Sequence, residues 1–299
     1  MAEQTAPATA DAQGVIHDIG YRHYDGPRLG RGYIRRSLFT ESLRAAYGLG
    51  RSTRSKVMPM ILLAVMCLPA LAIVAITAVT RSDELVADYL SYQLNMQVVI
   101  SIFVAAQAPA LVSRDLRFGV MSLYFSRPLE RPDYVLAKVG AMAAALLVLM
   151  GTPLVIMFLG ALVVGLPLGD QVPDLLRALA GTALLAGILA GLGALIAAIT
   201  PRRGLAVAAI VAVLVVLSGV QAVTQEIAIE QGAGEGVAYL GLLSPYTLVD
   251  GVQSGLLGAT SSLPVPPGAG SLVFLGVGLL LVGGSIAALL ARYRSVSVS

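Results

Sequence analysis

Long apolar runs alternate with short polar segments along this chain, and the length of each run decides what it can do. A helix rises about 1.5 Å per residue, so a hydrocarbon layer of about 30 Å takes about 20 apolar residues to cross. Six runs qualify, at 57–79, 94–112, 139–164, 175–199, 205–223 and 271–290. They predict an all-α integral membrane protein with six transmembrane helices. The second run is the weakest, because Asn95, Gln97, Ser101 and Gln107 dilute it and Pro109 interrupts its end. Those polar groups cost less against other helices or an aqueous path than against lipid. Pro153 predicts a kink in the third run.

The segments between the runs carry their own patterns. Over 33–49, Leu38, Phe39, Leu43, Ala46 and Tyr47 share one helical face while Ser37, Glu41 and Arg44 lie opposite. This predicts an N-terminal interfacial helix within 33–56, its apolar face in lipid and its Arg residues near anionic headgroups, or the same helix held against a partner. Before it, residues 1–32 read as a cytoplasmic tail, and the polar, Ala/Thr/Gln-rich stretch 1–14 as its disordered part. Residues 57–299 form the six-span domain.

The only substantial polar segment between two runs on the same side as the tail is the loop after the second run. "RDLRFGVMSLYF" can form a short helix with Leu116, Val120, Leu123 and Tyr124 on one stripe. Pro128 then disfavours the helical conformation at Arg127, and Pro132 suits the first turn of a new helix, in which Lys138 can snorkel to the inner surface. The result is a helix, a stiff corner and a second helix. On the opposite side, 224–270 is too polar and too interrupted by Gly and Pro to be a simple span. It reads either as a short re-entrant hairpin around Ser244, Pro245 and Tyr246 or as a surface loop.

Composition agrees with the runs: 57% of residues are hydrophobic, 12% are charged, and the mean hydropathy is +0.83. Charge sets the orientation. With the N-terminus inside, the six-span arrangement places all but two of the 20 Lys and Arg residues on the cytoplasmic side, the exceptions being Arg81 and Arg177. The outer segments collect Asp83, Glu84, Asp88, Asp170, Asp174, Glu226, Glu230, Glu235 and Asp250. Both termini are therefore expected in the cytoplasm, and the basic balance reflects topology with no call on nucleic acid.

Several chemistries are poorly served by these residues. No Asp, Glu, Lys, Arg or His lies near the middle of a run, which argues against ion-coupled transport. No GxxxxGK[ST] cradle, HExxH helix or Ser–His pair is present, so neither ATP hydrolysis nor intramembrane proteolysis is expected in this chain. The two histidines, His17 and His23, lie in the tail, and the single cysteine, Cys67, excludes an intrachain disulfide. No metal site is expected. Gly187 and Gly191 make a GxxxG pair that suits packing within the chain or at a subunit interface.

The stiff loop also resembles the first cytoplasmic loop of ABC-2 type transporter permeases, where a pattern like S-R-P-x-x-R-x-x-[YF]-x-x-x-K recurs. The matching positions are Asp115, Gly119, Ser126, Arg127, Pro128, Arg131, Tyr134 and Lys138. The tail "IHDIGYRHYDGPRLGR" is similar to the N-terminal tail of an actinobacterial branch of these permeases, and "LLSPYTLVDGV" sits between the fifth and sixth spans, where the resemblance implies short re-entrant or extracellular helices. The resemblance implies a permease subunit, an exporter of hydrophobic or amphipathic cargo, in the cell inner (plasma) membrane. It implies a separate ATPase subunit that binds ATP and Mg, and a second permease subunit, identical or not. It further implies that 114–133 is a cytoplasmic coupling helix, with Arg117 and Leu123 among its contacts to the ATPase. In the other reading Arg127 and Arg131 only enforce topology. The competing function is a non-transporting membrane scaffold or sensor that recruits a cytosolic protein through the same loop.

Overall fold

The computed structural model describes residues 26, 29–113, 115, 118, 124, 129–200, 202–232, 235–258, 264–265 and 269–295. The predicted disordered stretch 1–14, and nearly all of the tail 1–32, lie outside them. Among the described residues the chain is helical, without a strand. Five helices are long and apolar enough to cross a membrane. They are α2 (Thr53–Thr80), α5 (Arg131–Val164), α6 (Leu168–Ile199), α7 (Arg203–Glu230) and α9 (Gly270–Ser295). Shorter helices precede and separate them: α1 (Arg31–Ala46), α3 (Tyr89–Asn95), α4 (Gln97–Leu111), a 3-10 helix (Glu235–Leu243) and α8 (Pro245–Leu257).

The long helices overrun the apolar runs that announce them, and in α5 capping chemistry rather than hydropathy sets the ends. Helix α5 begins at a reciprocal capping box, in which the Glu130 side chain takes the backbone of Asp133 and the Asp133 side chain takes that of Glu130, with Pro132 in the first turn. It ends on Gly165, whose φ of 96° places it in the left-handed region and turns its N–H back onto Ala161 and Leu162. Pro153 lies inside α5 without ending it.

The second apolar run does not form one helix. Met96, at φ −95° and ψ 10°, divides it into α3 and α4. Helix α4 has 15 residues, which is about 22 Å of rise and less than a hydrocarbon layer. Most of its surface is against protein: Ile100, Phe103, Val104, Ala105, Ala108 and Leu111 are all buried. Ser101 and Gln107 are buried with them, while Asn95 stays exposed.

Helix α6 is the centre of the bundle. In its most apolar stretch 61% of residues are buried, against 22% in α2, α7 and α9, and it packs on α4, α5, α7, α8 and α9. The glycine pair lies on the face toward α9, where a side chain at Gly187 would meet Val282 and one at Gly191 would meet the Ser285 hydroxyl. The pair therefore serves packing within this chain.

Helix α1 differs from the expectation of a lipid-lying helix. It packs on α5, with Leu38, Ala46 and Tyr47 buried and the Phe39 ring over Gly140, so its apolar face is covered by protein. The Tyr47 hydroxyl donates to the Ala145 carbonyl of α5 at 2.7 Å. The helix also stops at Ala46; a turn through Gly48 and Gly50 leads into α2 at Thr53, so 33–56 is not one continuous helix.

Candidate functional site

The segment between α4 and α5 is fixed to the bundle where it begins and where it ends. At its start, the Ser113 hydroxyl donates to the Ala197 carbonyl near the end of α6 at 2.6 Å. Two residues on, a carboxylate oxygen of Asp115 lies 2.8 Å from the Lys138 ammonium and accepts from the Tyr134 hydroxyl at 2.8 Å. Lys138 is 8% exposed and its ammonium stands 5.6 Å from the centre of the Tyr134 ring. The lysine expected to snorkel is thus buried in an ion pair. The partner that retains it, Asp115, removes the need to reach water. Tyr134 is fully buried and its ring meets Tyr124 of the segment at 5.5 Å and Tyr293 of α9 at 5.3 Å.

The far end of the segment is tied to α1. Arg31, in the first turn of α1, donates to both Glu130 and Asp133, the two members of the α5 capping box, and Arg35 adds a longer contact to Asp133 at 3.9 Å. The hydrogen bond to Asp133, and secondarily that to Glu130, raise the Arg31 pKa further above its usual value. Asp133 is buried, so one partner of this pairing is withdrawn from water although the arginine is half-exposed. Between α1 and the segment lies a cavity of about 230 Å³ lined by Tyr33, Ile34, Ser37, Leu38, Glu41, Tyr124 and Leu129.

Of the residues singled out in the sequence for this region, Asp115, Tyr124, Arg131, Pro132, Tyr134 and Lys138 fall within the description, and Asp115 meets both Tyr134 and Lys138 directly. Arg131 is half-buried at the first position of α5. Arg117, Gly119, Leu123, Ser126, Arg127 and Pro128 lie outside the described residues. On α1, Leu38 and Tyr47 are buried, Phe39 and Leu43 are half-buried, and Arg44 is exposed. Sequence reading did not single out Arg31, Glu130, Asp133 and Tyr293. The Glu130, Pro132, Asp133 spacing carries a capping-box signal, but nothing local announces that Arg31 meets it.

At the other end of the bundle, Ser244 is fully buried, accepts from the Tyr246 backbone at 3.4 Å as the N-cap of α8, and shares a hydrogen bond with Ser218 at 3.0 Å. Pro245 follows at the first helical position, and the Tyr246 hydroxyl pairs with Ser101 of α4 at 2.7 Å. Helix α8 packs against α3, α6, α7, α9 and the 3-10 helix. Two of its glycines receive α9: Gly251 sits against the Phe274 ring and Gly255 against Ser271.

The same end carries an acidic cup of about 290 Å³ lined by Asp83, Glu84, Leu85, Asp88, Tyr89, Pro167, Asp170, Gln171 and Asp174. Partial burial, then the charges of Asp174 and Glu84, push the Asp88 carboxyl above its usual range. An acid with a raised folded pKa contributes stability that is full below its unfolded value and is lost as pH rises through the folded one. Asp88→Asn is therefore expected to remove part of the gain in melting temperature that acidification from neutral pH gives the wild type. Parallel melting curves would show this, and identical pH profiles would exclude the effect. Among the described residues, no group of three or more His, Cys, Asp or Glu is placed to hold a metal ion.

Five apolar helices of spanning length make this a multi-pass, all-helical membrane protein. Compared with known proteins, the chain matches no protein-family model and no curated protein sequence.

Proposed function

We propose that the protein is the transmembrane permease subunit of an ATP-driven ABC transporter of the ABC-2 type. The observation that carries this reading is the segment between α4 and α5, held at one end by Asp115 on Lys138 and Tyr134, and at the other by Arg31 on Glu130 and Asp133. A segment held at both ends passes an applied displacement to α5, α6 and α1, whereas a loose one absorbs it. In this proposal α3 and α4 together form the second of six spans, the basic end faces the cytoplasm with both termini, and the membrane is the plasma membrane. The 3-10 helix and α8 form a re-entrant hairpin from the outer side. A separate ATPase, holding ATP and Mg, docks on the segment, and a second permease subunit, identical or related, completes the path. The cargo is hydrophobic or amphipathic and moves outward, and α1 stands beside the docked ATPase.

The test is purification of the tagged protein from its native membrane in mild detergent, followed by identification of what accompanies it and an assay of ATP hydrolysis. A copurifying Walker-motif ATPase with vanadate-sensitive activity supports the proposal. Its absence under several gentle conditions favours a scaffold or sensor that recruits another cytosolic protein through the same segment. Arg131→Glu and deletion of residues 122–125 are each expected to leave the protein inserted while detaching or uncoupling the ATPase. Normal ATP-dependent transport in both variants would remove the coupling assignment.

A further inference from the structure

A series of buried polar pairs descends from the acidic cup into the bundle. At the floor of the cup the Tyr89 hydroxyl donates to the Gln171 side-chain carbonyl at 2.6 Å. One helical turn along α3, the Gln93 side-chain nitrogen donates to the Thr182 hydroxyl of α6, which itself donates to the Ala178 carbonyl at 2.7 Å. Farther along, Ser101 meets Tyr246 of α8. The middle pair is incomplete. Gln93 is 3% exposed and its Oε1 has no partner; Gln253 of α8 is 2% exposed and its Nε2 has none.

These two unmet atoms flank consecutive residues of α6. Gln93 is bonded at Thr182, and the Gln253 amide occupies the space beside Gly181, its Nε2 1.9 Å from where a side-chain carbon of that glycine would stand. Helices α3 and α8 also touch each other. The Thr182 hydrogen is already committed to Ala178, so Thr182 can only accept, and this fixes which Gln93 atom points at it. The other atom, an acceptor, is the buried one left without a partner, and the Gln253 Nε2 is a donor. A desolvated amide atom without a partner is costly, and an unmet donor and an unmet acceptor held at consecutive residues of one helix are together the complement of a hydroxyl.

We infer that α3, α6 and α8 enclose a binding site for a single hydroxyl, which accepts from Gln253 Nε2 and donates to Gln93 Oε1. The hydroxyl is that of a water molecule or of a small hydroxylated solute, and it joins α8 to α3 across α6. The inference rests on the unmet amides alone and holds whatever the protein transports or recruits.

The test uses the full-length protein in lipid nanodiscs. Thermal unfolding is compared for the wild type, Gln93→Met, Gln253→Met and the double variant, beside a structure at a resolution that shows ordered water. With a bound hydroxyl, Gln253→Met lowers the melting temperature by on the order of 2–4 °C, and the double variant loses less than the sum of the singles because both residues hold one guest. With a dry site, Gln253→Met removes an unsatisfied donor and raises the melting temperature, which overturns the inference, as would strictly additive shifts. In the density, an isolated oxygen between the two amides assigns water, and an oxygen continuous with a copurified molecule assigns a solute hydroxyl. A direct bond between Gln93 and Gln253, or an empty gap, overturns the site.

Discussion

Lys138→Met is expected to destabilise the protein by about 3–5 kcal/mol, because it leaves the mostly covered Asp115 carboxylate with no counter-charge. Lys138 is 8% exposed and the Asp115 side chain 17%, so water can replace little of what is lost. The Tyr134 hydroxyl would remain as a donor to Asp115, but a neutral donor does not balance an ionised carboxylate. Replacing both partners, Asp115→Leu with Lys138→Met, is expected to recover much of the loss, since two apolar groups satisfy each other where one isolated charge cannot. Melting temperatures in detergent for the two single variants and the double decide it. If the double loses the sum of the singles, the two residues act independently and the pair is not a unit. The variants also separate stability from coupling. A double variant that inserts and melts normally yet fails to retain the ATPase proposed above would show that the ion pair orients the segment.

The second large effect is expected at the corner between α1 and α2. Gly48 has φ +65°, and a side-chain carbon there would lie 2.4 Å from the Ser55 carbonyl oxygen and 2.9 Å from the Lys56 backbone nitrogen. Both obstacles are backbone, so neither can swing aside as a side chain would. The Ser55 carbonyl is also the one that Pro59, inside α2, cannot serve with a helical N–H. Gly48→Ala combines a left-handed conformation, about 1–2 kcal/mol, with overpacking of about 1–3 kcal/mol. Gly50→Ala provides the control: its φ is +81°, but a side-chain carbon there meets nothing within 4 Å. Gly50→Ala should carry the conformational part alone. Equal melting temperatures for the two variants would show that the corner yields and that the close approach to Ser55 is dispensable.

The sequence shows which helices cross a membrane far better than it shows what covers their faces. Twenty apolar residues in a row are a local signal, and five of the six runs became helices long enough to span. The sixth carried its own warning in Asn95, Gln97, Ser101 and Gln107. The structure divides that run at Met96 and encloses Ser101 and Gln107 in protein, as the cost of placing them in lipid predicts. On α1 the spacing of Leu38, Phe39, Leu43 and Tyr47 identifies an apolar face, but an apolar face suits lipid and a neighbouring helix equally. Only the position of α5, and the hydrogen bond from Tyr47 to Ala145, show which one covers it. Lys138 fails for the same reason. A lysine near a helix end reads as a snorkelling residue until Asp115, 23 positions earlier, is brought beside it. The tie from Arg31 to Asp133 spans 102 positions, and no periodicity within one helix can announce a contact that the fold alone creates.

The central place of α6 sets an order for biogenesis. A ribosome delivers α2, α4 and α5 before the helix on which α4 and α5 pack, so each leaves the insertion channel lacking part of its final surroundings. For α2 and α5 this is tolerable, because lipid serves a long apolar helix until a protein neighbour arrives. Helix α4 is short, buried on most sides in the finished bundle, and carries Ser101 and Gln107 on surfaces that end against protein. Hydrocarbon alone serves it poorly, and its protein surroundings are complete only when translation has passed α7, on which it also packs, and has reached Tyr246 of α8, the partner of Ser101. Membrane insertion of this protein is thus expected to be a delayed, collective release of α3 through α8, and ribosome stalling before the end of α8 should leave α4 crosslinkable to the insertion machinery.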